Sequence, residues 1–473
     1  MERNSEKKKD EGMQRITFEL IQHTPIIHFQ ADYRGATLRA SEVKPKLDRY
    51  LWNNYRDEIE KLGKRAVIGK KEKSSTISLD YKMSFVATNT KSWSIDKKNA
   101  PMYFANIAQR GDFITEKYLS IALDGVKMTL LVRDQEMKAL LSEDKICDFF
   151  MLHNFGARQS KGYGSFTVKE PNSQNTWERA EKKYKSLGFQ IKTLPSCNKG
   201  VFHSLSCQDF SSFYKSFFKG LDYFYKSLRS GLNEYRKDYR TNKIECVFYM
   251  KPVIYHYAED IGEHWDKFYI KRKISTVIFK SGLSYSAQEQ RKLQKFRRSN
   301  GDFFRKKNEE TSWHEYRNMF GLSTCELWSY YNNIDIQRRF SIAKNNKRES
   351  VERMKSPIQF KPIILKKNNK YELWVYMGIF QEEVGLDTLL KNEGEVEVVA
   401  KNGLLKDRTA QINLKFKHDI KLIDILKAVF RKEDLTSFME DKNNKEGKDI
   451  KIFLSDIYAQ LKNNKKTCNH TQQ

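Results

Sequence analysis

The residues best suited by type and spacing to chemistry are Gly156-Ala157-Arg158-Gln159-Ser160-Lys161-Gly162-Tyr163-Gly164-Ser165. Glycine opens left-handed backbone angles and lets another backbone approach closely. A run of such residues can aim several N–H groups at one anion. Arg158 and Lys161 add positive charge, and Tyr163 offers a stacking face. The combination suits a sugar-phosphate backbone. It is not a nucleotide-phosphate loop, because neither GxxxxGK[ST] nor GxGxxG is matched. The plainer alternative is a tight turn before a strand, carrying two solvated cations.

A second basic stretch, 291–307 (RKLQKFRRSNGDFFRKK), has Asp302 as its one acidic residue, and IKRK at 270–273 lies nearby. Phe296, Phe303 and Phe304 are candidates for stacking on bases, at ~1–3 kcal/mol per base. Their periodicity reads better as the core face of a helix, whereas the cationic stripe reads as an RNA contact. His256 and His264 are too far apart for one helical turn, and His418-Asp419 has no accompanying ligand set. The six cysteines show no CxxC spacing. No metal and no cofactor are expected.

These residues need elements to position them. Residues 15–29 alternate as a strand, with Ile16, Phe18 and Leu20 against Thr17 and Glu19, and Pro25 marks a bend. Ser41 is a candidate N-cap for a helix with Leu47, Leu51 and Tyr55 at helical spacing and Pro45 near its start. Residues 78–88 and 118–133 read as strands, the second as a hairpin about its Asp124-Gly125 turn. Residues 134–154 read as one helix ahead of the glycine-rich loop and a short final strand. Strand, helix, strand, strand, helix, strand is the ferredoxin-like order.

The expected class is therefore α+β, with tandem ferredoxin-like (RRM-like) modules. The boundaries are a disordered tail at 1–12, a first module at 13–172 and a helical region at 173–243. A second module follows at 244–473, with a basic helical insertion at 283–345.

Charge points the same way. Lys and Arg number 87 against 60 Asp and Glu, a net +27. Aromatics make up 13 % of the chain, so it is no disordered polycation. Such an excess implies an anionic partner, nucleic acid before membrane. The N-terminus has no apolar signal and no apolar run approaches a membrane span, so a soluble cytoplasmic protein is expected.

Gly156 to Ser165, placed after a helix and before a strand, resembles the G-x-R-x-x-x-G-x-G-S signature of the RAMP superfamily of CRISPR proteins. Arg15–Ile26 and Leu38–Leu51 resemble that family's first strand and the basic start of its first helix. Lys44 and Arg49 stand near its basic positions, with Pro45 where glycine is usual. Arg353-Met354-Lys355-Ser356-Pro357-Ile358 resembles the R-x-x-S-P-[IL] strand of the Cmr-type subunit one of type III-B effector complexes. The resemblance implies an RNA-binding, non-catalytic subunit that contacts the guide RNA 3′ region and target RNA in antiviral defence, beside other RAMP subunits. DNA and membrane are not expected partners. Arg39, Lys44, Arg49, Gly156, Arg158, Lys161, Gly162, Tyr163 and Gly164 are the RNA-binding candidates. The enzyme alternative is a metal-independent endoribonuclease that matures the guide precursor, with His28 as base and Tyr33 and Lys44 assisting. A basic scaffold without RNA contact is the third alternative.

Overall fold

The structure is a computed structural model that describes residues 13–28, 33–63, 77–95, 118–191, 210–238, 241–299, 313–328, 333–344, 347–351, 354–367, 370–381, 385–392, 394–418, 420–432 and 435–463. The expected disordered tail at 1–12, Arg353, Phe303 and Phe304 lie outside these residues, as does the side chain of Phe296.

In chain order the elements begin with β1 (Gln14–Gln22), α1 (Ala40–Asn54), α2 (Arg56–Leu62), β2 (Tyr81–Val86), β3 (Thr90–Ser94) and β4 (Tyr118–Ala122). Next come β5 (Val126–Val132), α3 (Gln135–Leu140), α4 (Glu143–Leu152), β6 (Phe166–Val168), α5 (Ser173–Leu187), β7 (Gly188–Ile191) and α6 (Phe210–Arg229). Then follow β8 (Leu232–Lys237), β9 (Ile244–Met250), α7 (Val253–Asp260), β10 (His264–Trp265), α8 (Asp266–Lys280), α9 (Ala287–Ser299) and β11 (Trp313–His314). β12 (Cys325–Trp328), β13 (Ile334–Lys344), β14 (Lys347–Val351), β15 (Ile358–Lys367) and β16 (Lys370–Ile379) continue the chain. The last are α10 (Leu386–Lys391), β17 (Glu395–Lys401), β18 (Ala410–Lys415), α11 (Leu422–Phe430), β19 (Met439–Glu440) and α12 (Lys445–Asn463).

The chain forms two compact units. The first holds the residues up to Gly220 together with Gln359–Gly378, and the second holds Leu221–Ile358 and the residues from Ile379. Residues 359–378, read from sequence as part of a second module, thus belong to the first unit.

The first unit is built on an antiparallel sheet in the order β2-β5-β1-β6. Side chains alternate across a strand. On β1, Phe18 and Leu20 are buried while Arg15, Thr17 and Glu19 are exposed. The inner face packs on α1 and α4 through Val43, Leu47, Leu51, Ile146, Phe149 and Phe150, which with Met128, Leu130 and Phe166 form one core. The Asp124-Gly125 turn does not close a hairpin. β5 already has β1 and β2 on its two sides, so β4 pairs with β3 instead. The single helix expected over 134–154 is two, α3 and α4. Asp134 caps the first by accepting the Met137 N–H at 2.6 Å, and the chain restarts at Ser142. Arg39, not Ser41, is the N-cap of α1. The expected helical region at 173–243 contains the strands β7 and β8 as well as α5 and α6.

The second unit carries a sheet in the order β10-β11-β18-β17-β13-β12, with β14 paired to β13 and parallel pairs at β10-β11 and β11-β18. A smaller sheet runs β19-β9-β8. Among the described strands, neither sheet repeats the four-stranded order of the first unit. Within the expected helical insertion at 283–345, α9 is helical but β11, β12 and β13 are extended. Inside this unit lies an ionic network. Arg317 donates to Glu326 at 3.1 Å, Arg338 reaches it at 3.4 Å, and the Trp328 indole donates to it at 2.9 Å. Asp266 and Glu315 are fully buried nearby in this charge group. No described helix is long and apolar enough to cross a membrane.

Candidate nucleic-acid interface

The glycine-rich loop connects α4 to β6, and a bridge between Asn154 and Ser165 closes its base. Gly156 and Gly164 have φ of +80° and +62°. A Cβ at Gly164 would sit 2.0 Å from the Phe155 carbonyl oxygen, and one at Gly156 would sit 2.5 Å from that of Ile27. Both positions therefore demand glycine on contact as well as on backbone angle. Gly162 also lies in the left-handed region, at +83°.

The loop's N–H groups are largely engaged inside the first unit. Phe155 N donates to Gly164 O at 2.9 Å, Ala157 N to Ile27 O at 2.8 Å, and Gly164 N to Pro25 O at 2.9 Å. Lys161 N and Gly162 N close turns on Arg158 O and Gln159 O. Gly156 N donates to Glu42 Oε1 at 2.6 Å. The glycines thus shape a rigid plug, and these N–H groups do not form the anion cradle read from the sequence.

The side chains divide in the same way. Tyr163 is buried and stacks on Phe218, with ring centroids 3.7 Å apart and planes 2° apart, so its ring serves the core. Lys161 is 9 % exposed and forms a bridge with Phe360. Lys44 reaches Asp48 at 2.8 Å and the Leu79 carbonyl at 2.8 Å, with its ammonium 4.3 Å from the Tyr81 ring centroid. It neutralises a buried carboxylate, whose pKa burial raises against the pull of Lys44. Arg39, Arg49 and Arg158 remain partly or fully exposed. Arg39 lies over the Tyr33 ring at 5.7 Å.

Among the described residues of the first unit, Arg158 is the one non-glycine at positive φ, and Lys406 and Lys442 share that region in the second. The φ of Arg158 is +60°, where an L side chain costs roughly 1–2 kcal/mol and glycine sits freely. Glycine flanks it at Gly156 and Gly162, yet this position carries a guanidinium.

The sequence reading missed several residues that hold the loop. Lys46 donates to the Asn154 carbonyl at 3.1 Å, to Gln159 Oε1 at 2.7 Å and to Glu42 at 3.1 Å, tying the start of α1 to the loop. Lys361 on β15 is fully buried, and its ammonium donates to the carbonyls of Phe150 at 2.7 Å, His153 at 3.0 Å and Phe166 at 2.8 Å. Two of these carbonyls end α4, where a cation is favoured. Burial still lowers its pKa well below the usual lysine range. His23 is buried, accepts the Ile364 N–H at Nδ1 (3.0 Å) and meets Thr167 Oγ1 through Nε2 (2.8 Å). Burial, helped by Lys361, lowers its pKa to about 3, so it is neutral.

The alternative catalytic trio is dispersed in environment. His28 is buried at 4 % exposure, Tyr33 is 62 % exposed, and Lys44 is held by Asp48 and Leu79. In the second unit, Ser356 of the Ser-Pro motif lies 3.4 Å from the Tyr225 hydroxyl, and the Pro357 carbonyl accepts the Phe380 N–H at 2.7 Å. That motif builds a turn.

The order of these motifs is matched by the comparisons with protein families. The Cmr1 N-terminal domain matches residues 13–232, and the Cmr1 C-terminal domain matches residues 249–463. The chain belongs to the Cmr1 family. Membership implies a RAMP subunit of a type III-B CRISPR effector complex. The glycine-rich loop of this Cmr1-family chain falls within the N-terminal match, and the Ser-Pro turn within the C-terminal one. No curated protein matches the sequence.

Proposed function

We propose that this Cmr1-family chain is an RNA-binding, non-catalytic subunit that contacts the guide RNA 3′ region and target RNA beside other RAMP subunits in the cytoplasm. The first unit serves as a ferredoxin-like module. Its strand order and its strand-helix-strand-strand-helix-strand sequence support that reading. RNA runs past the start of α1 and the glycine-rich loop, where Arg39, Arg49 and Arg158 meet phosphates. The glycines, Lys161 and Tyr163 act from within by fixing the loop, and Lys44 and Lys46 by fixing α1.

One observation carries this assignment: Arg158 keeps a charged side chain at a left-handed position between glycines. Strained positions of this kind cluster where a side chain has work to do on a ligand. Replacing Arg158→Gly relieves the strain and removes the charge. The variant is expected to gain about 1 kcal/mol in stability. Its affinity for single-stranded guide RNA is expected to fall, with the salt slope shallower by about 0.7. Unchanged affinity and slope would remove Arg158 from the interface. Binding without cleavage is favoured over the nuclease alternative by the burial of His28 and the internal engagement of Lys44.

A further inference from the structure

Among the described residues, the helices of the first unit pack on one face of its sheet. The other face is exposed along β1, β5 and β2, and the register fixes its side chains in rows. Arg15 and Lys82 flank Leu131 in one row, and Thr17 and Ser84 flank Thr129 in the next. Glu19 and Val86 flank Lys127 in a third. Arg15, Thr17, Lys82, Ser84 and Lys127 are exposed. Lys169 sits beside Glu19 at 2.6 Å and cancels its charge. Lys127 also faces Glu19, so this one carboxylate answers two lysines, and Arg15 and Lys82 have no carboxylate in their row.

We infer that this face is a second RNA platform, which holds the sugar-phosphate backbone of a single strand through Arg15, Lys82 and Lys127 and through the hydroxyl row Ser84-Thr129-Thr17. The inference rests on the RNA-binding reading above but uses a different surface. Neighbouring strands lie about 4.8 Å apart, so Arg15 and Lys82 are about 10 Å apart across β5. The hydroxyls between these cations and Lys127 can donate to phosphate or pair with a 2′-hydroxyl. Every aromatic of these three strands, Phe18, Tyr81 and Phe85, packs on the helix side. Among the described residues, these strands therefore bring no base-stacking ring to the platform, which holds the backbone rather than reads sequence. The same lack disfavours a protein partner, since protein interfaces draw affinity from buried aromatic anchors.

The open face of the second unit is an internal control. There Arg339 faces Glu397 at 3.6 Å, Arg348 pairs with Glu395, and Asp335 lies across from Lys401. Its charges are matched in pairs, so an unmatched set is not a general property of sheets in this basic chain.

The test is the binding of a labelled 20-nucleotide uridine RNA to the full chain at several salt concentrations. Loss of three phosphate contacts in R15Q/K82Q/K127Q should lower affinity about tenfold and reduce the salt slope by about 2. T17V/T129V, which keeps the charge, should weaken binding without altering the slope. Should the triple variant fail to fold by thermal melting, K82Q alone should reduce the slope by about 0.7. Unchanged affinity and slope in the face variants, with Arg158→Gly weakened, overturns this inference and leaves the loop interface standing. Unchanged binding in both sets overturns the RNA reading itself. Intact RNA binding with loss of co-purifying effector subunits assigns the face to a protein and overturns the inference.

Discussion

In the first unit the buried ammonium of Lys361 rests on three backbone carbonyls, whereas in the second the buried guanidiniums of Arg317 and Arg338 share the carboxylate of Glu326. The surfaces repeat the contrast. Cations outnumber carboxylates on the open sheet face of the first unit, and the two are matched on that of the second. A charge answered by an opposite charge serves the fold. A cation left unanswered at the surface is available to an external anion. The net +27 is thus answered internally to different extents in the two units, although both are rich in Lys and Arg.

The largest expected effect breaks the ionic network. Burial opposes ionised Glu326, but Arg317 and Arg338 outweigh it and hold the carboxyl well below its usual range. Glu326→Gln removes the carboxylate that the two buried guanidiniums share and leaves them only the more distant Asp266 and Glu315. A loss of about 3 kcal/mol is expected in denaturant unfolding, at the lower end for a broken buried pair because Glu326 keeps 21 % side-chain exposure. RNA affinity should not change. An unfolding midpoint equal to wild type would show that the second unit does not depend on charge pairing.

The two units also answer pH differently. His23 has a folded pKa of about 3 against an ordinary value near 6.5. The unfolded chain therefore binds a proton that the native state refuses as pH falls below 6.5, and the first unit loses stability on acidification. The loss is about 2 kcal/mol at pH 5. Asp266 acts with the opposite sign. Burial, reinforced by Glu315, raises its pKa to about 7, so the second unit loses stability as pH rises from about 4 through 7. His256 in the second unit, lowered to about 4 mainly by burial, acts with the sign of His23 and offsets part of the Asp266 slope. Unfolding followed separately in each unit from pH 4.5 to 7.5 should show opposed slopes once His256→Gln removes that offset, and His23→Gln should flatten only the first. Parallel slopes would end the contrast.

The smallest effect is at the surface. Arg339 and Glu397 are 78 % and 42 % exposed, and the double variant R339A/E397A should shift stability by less than about 0.5 kcal/mol. A larger shift in thermal melting would mean that this face carries more than solvated pairs.

Local pattern made much of the first unit legible. The alternation of Ile16, Phe18 and Leu20 specifies a strand face, and the spacing of Leu47 and Leu51 specifies a helix. The glycine-rich segment marked the loop correctly but assigned Tyr163 and Lys161 to solvent. Phe218, which takes the Tyr163 ring, lies 55 positions later in the chain, and no periodicity reports such a pairing. Lys361 was hidden for the same reason: inside a strand it looks like a solvent-facing residue until the carbonyls of α4 are placed around it. The Asp124-Gly125 turn misled because turn chemistry says that a chain reverses, not which strand it then meets. The missed α12, with Ile450, Leu454, Ile457 and Leu461 buried, was overlooked beneath a strongly charged composition.

The return of residues 359–378 to the first unit orders events during synthesis. Leu221–Ile358 stands between the two parts of the first unit, and at roughly 5–20 residues per second its synthesis takes about 7–28 s. Until then the carbonyls of Phe150, His153 and Phe166 await Lys361, and β7 awaits β16. The glycine-rich loop lies between those carbonyls. Its final setting comes only after most of the second unit has left the ribosome, so RNA would meet a finished loop only on a nearly complete chain.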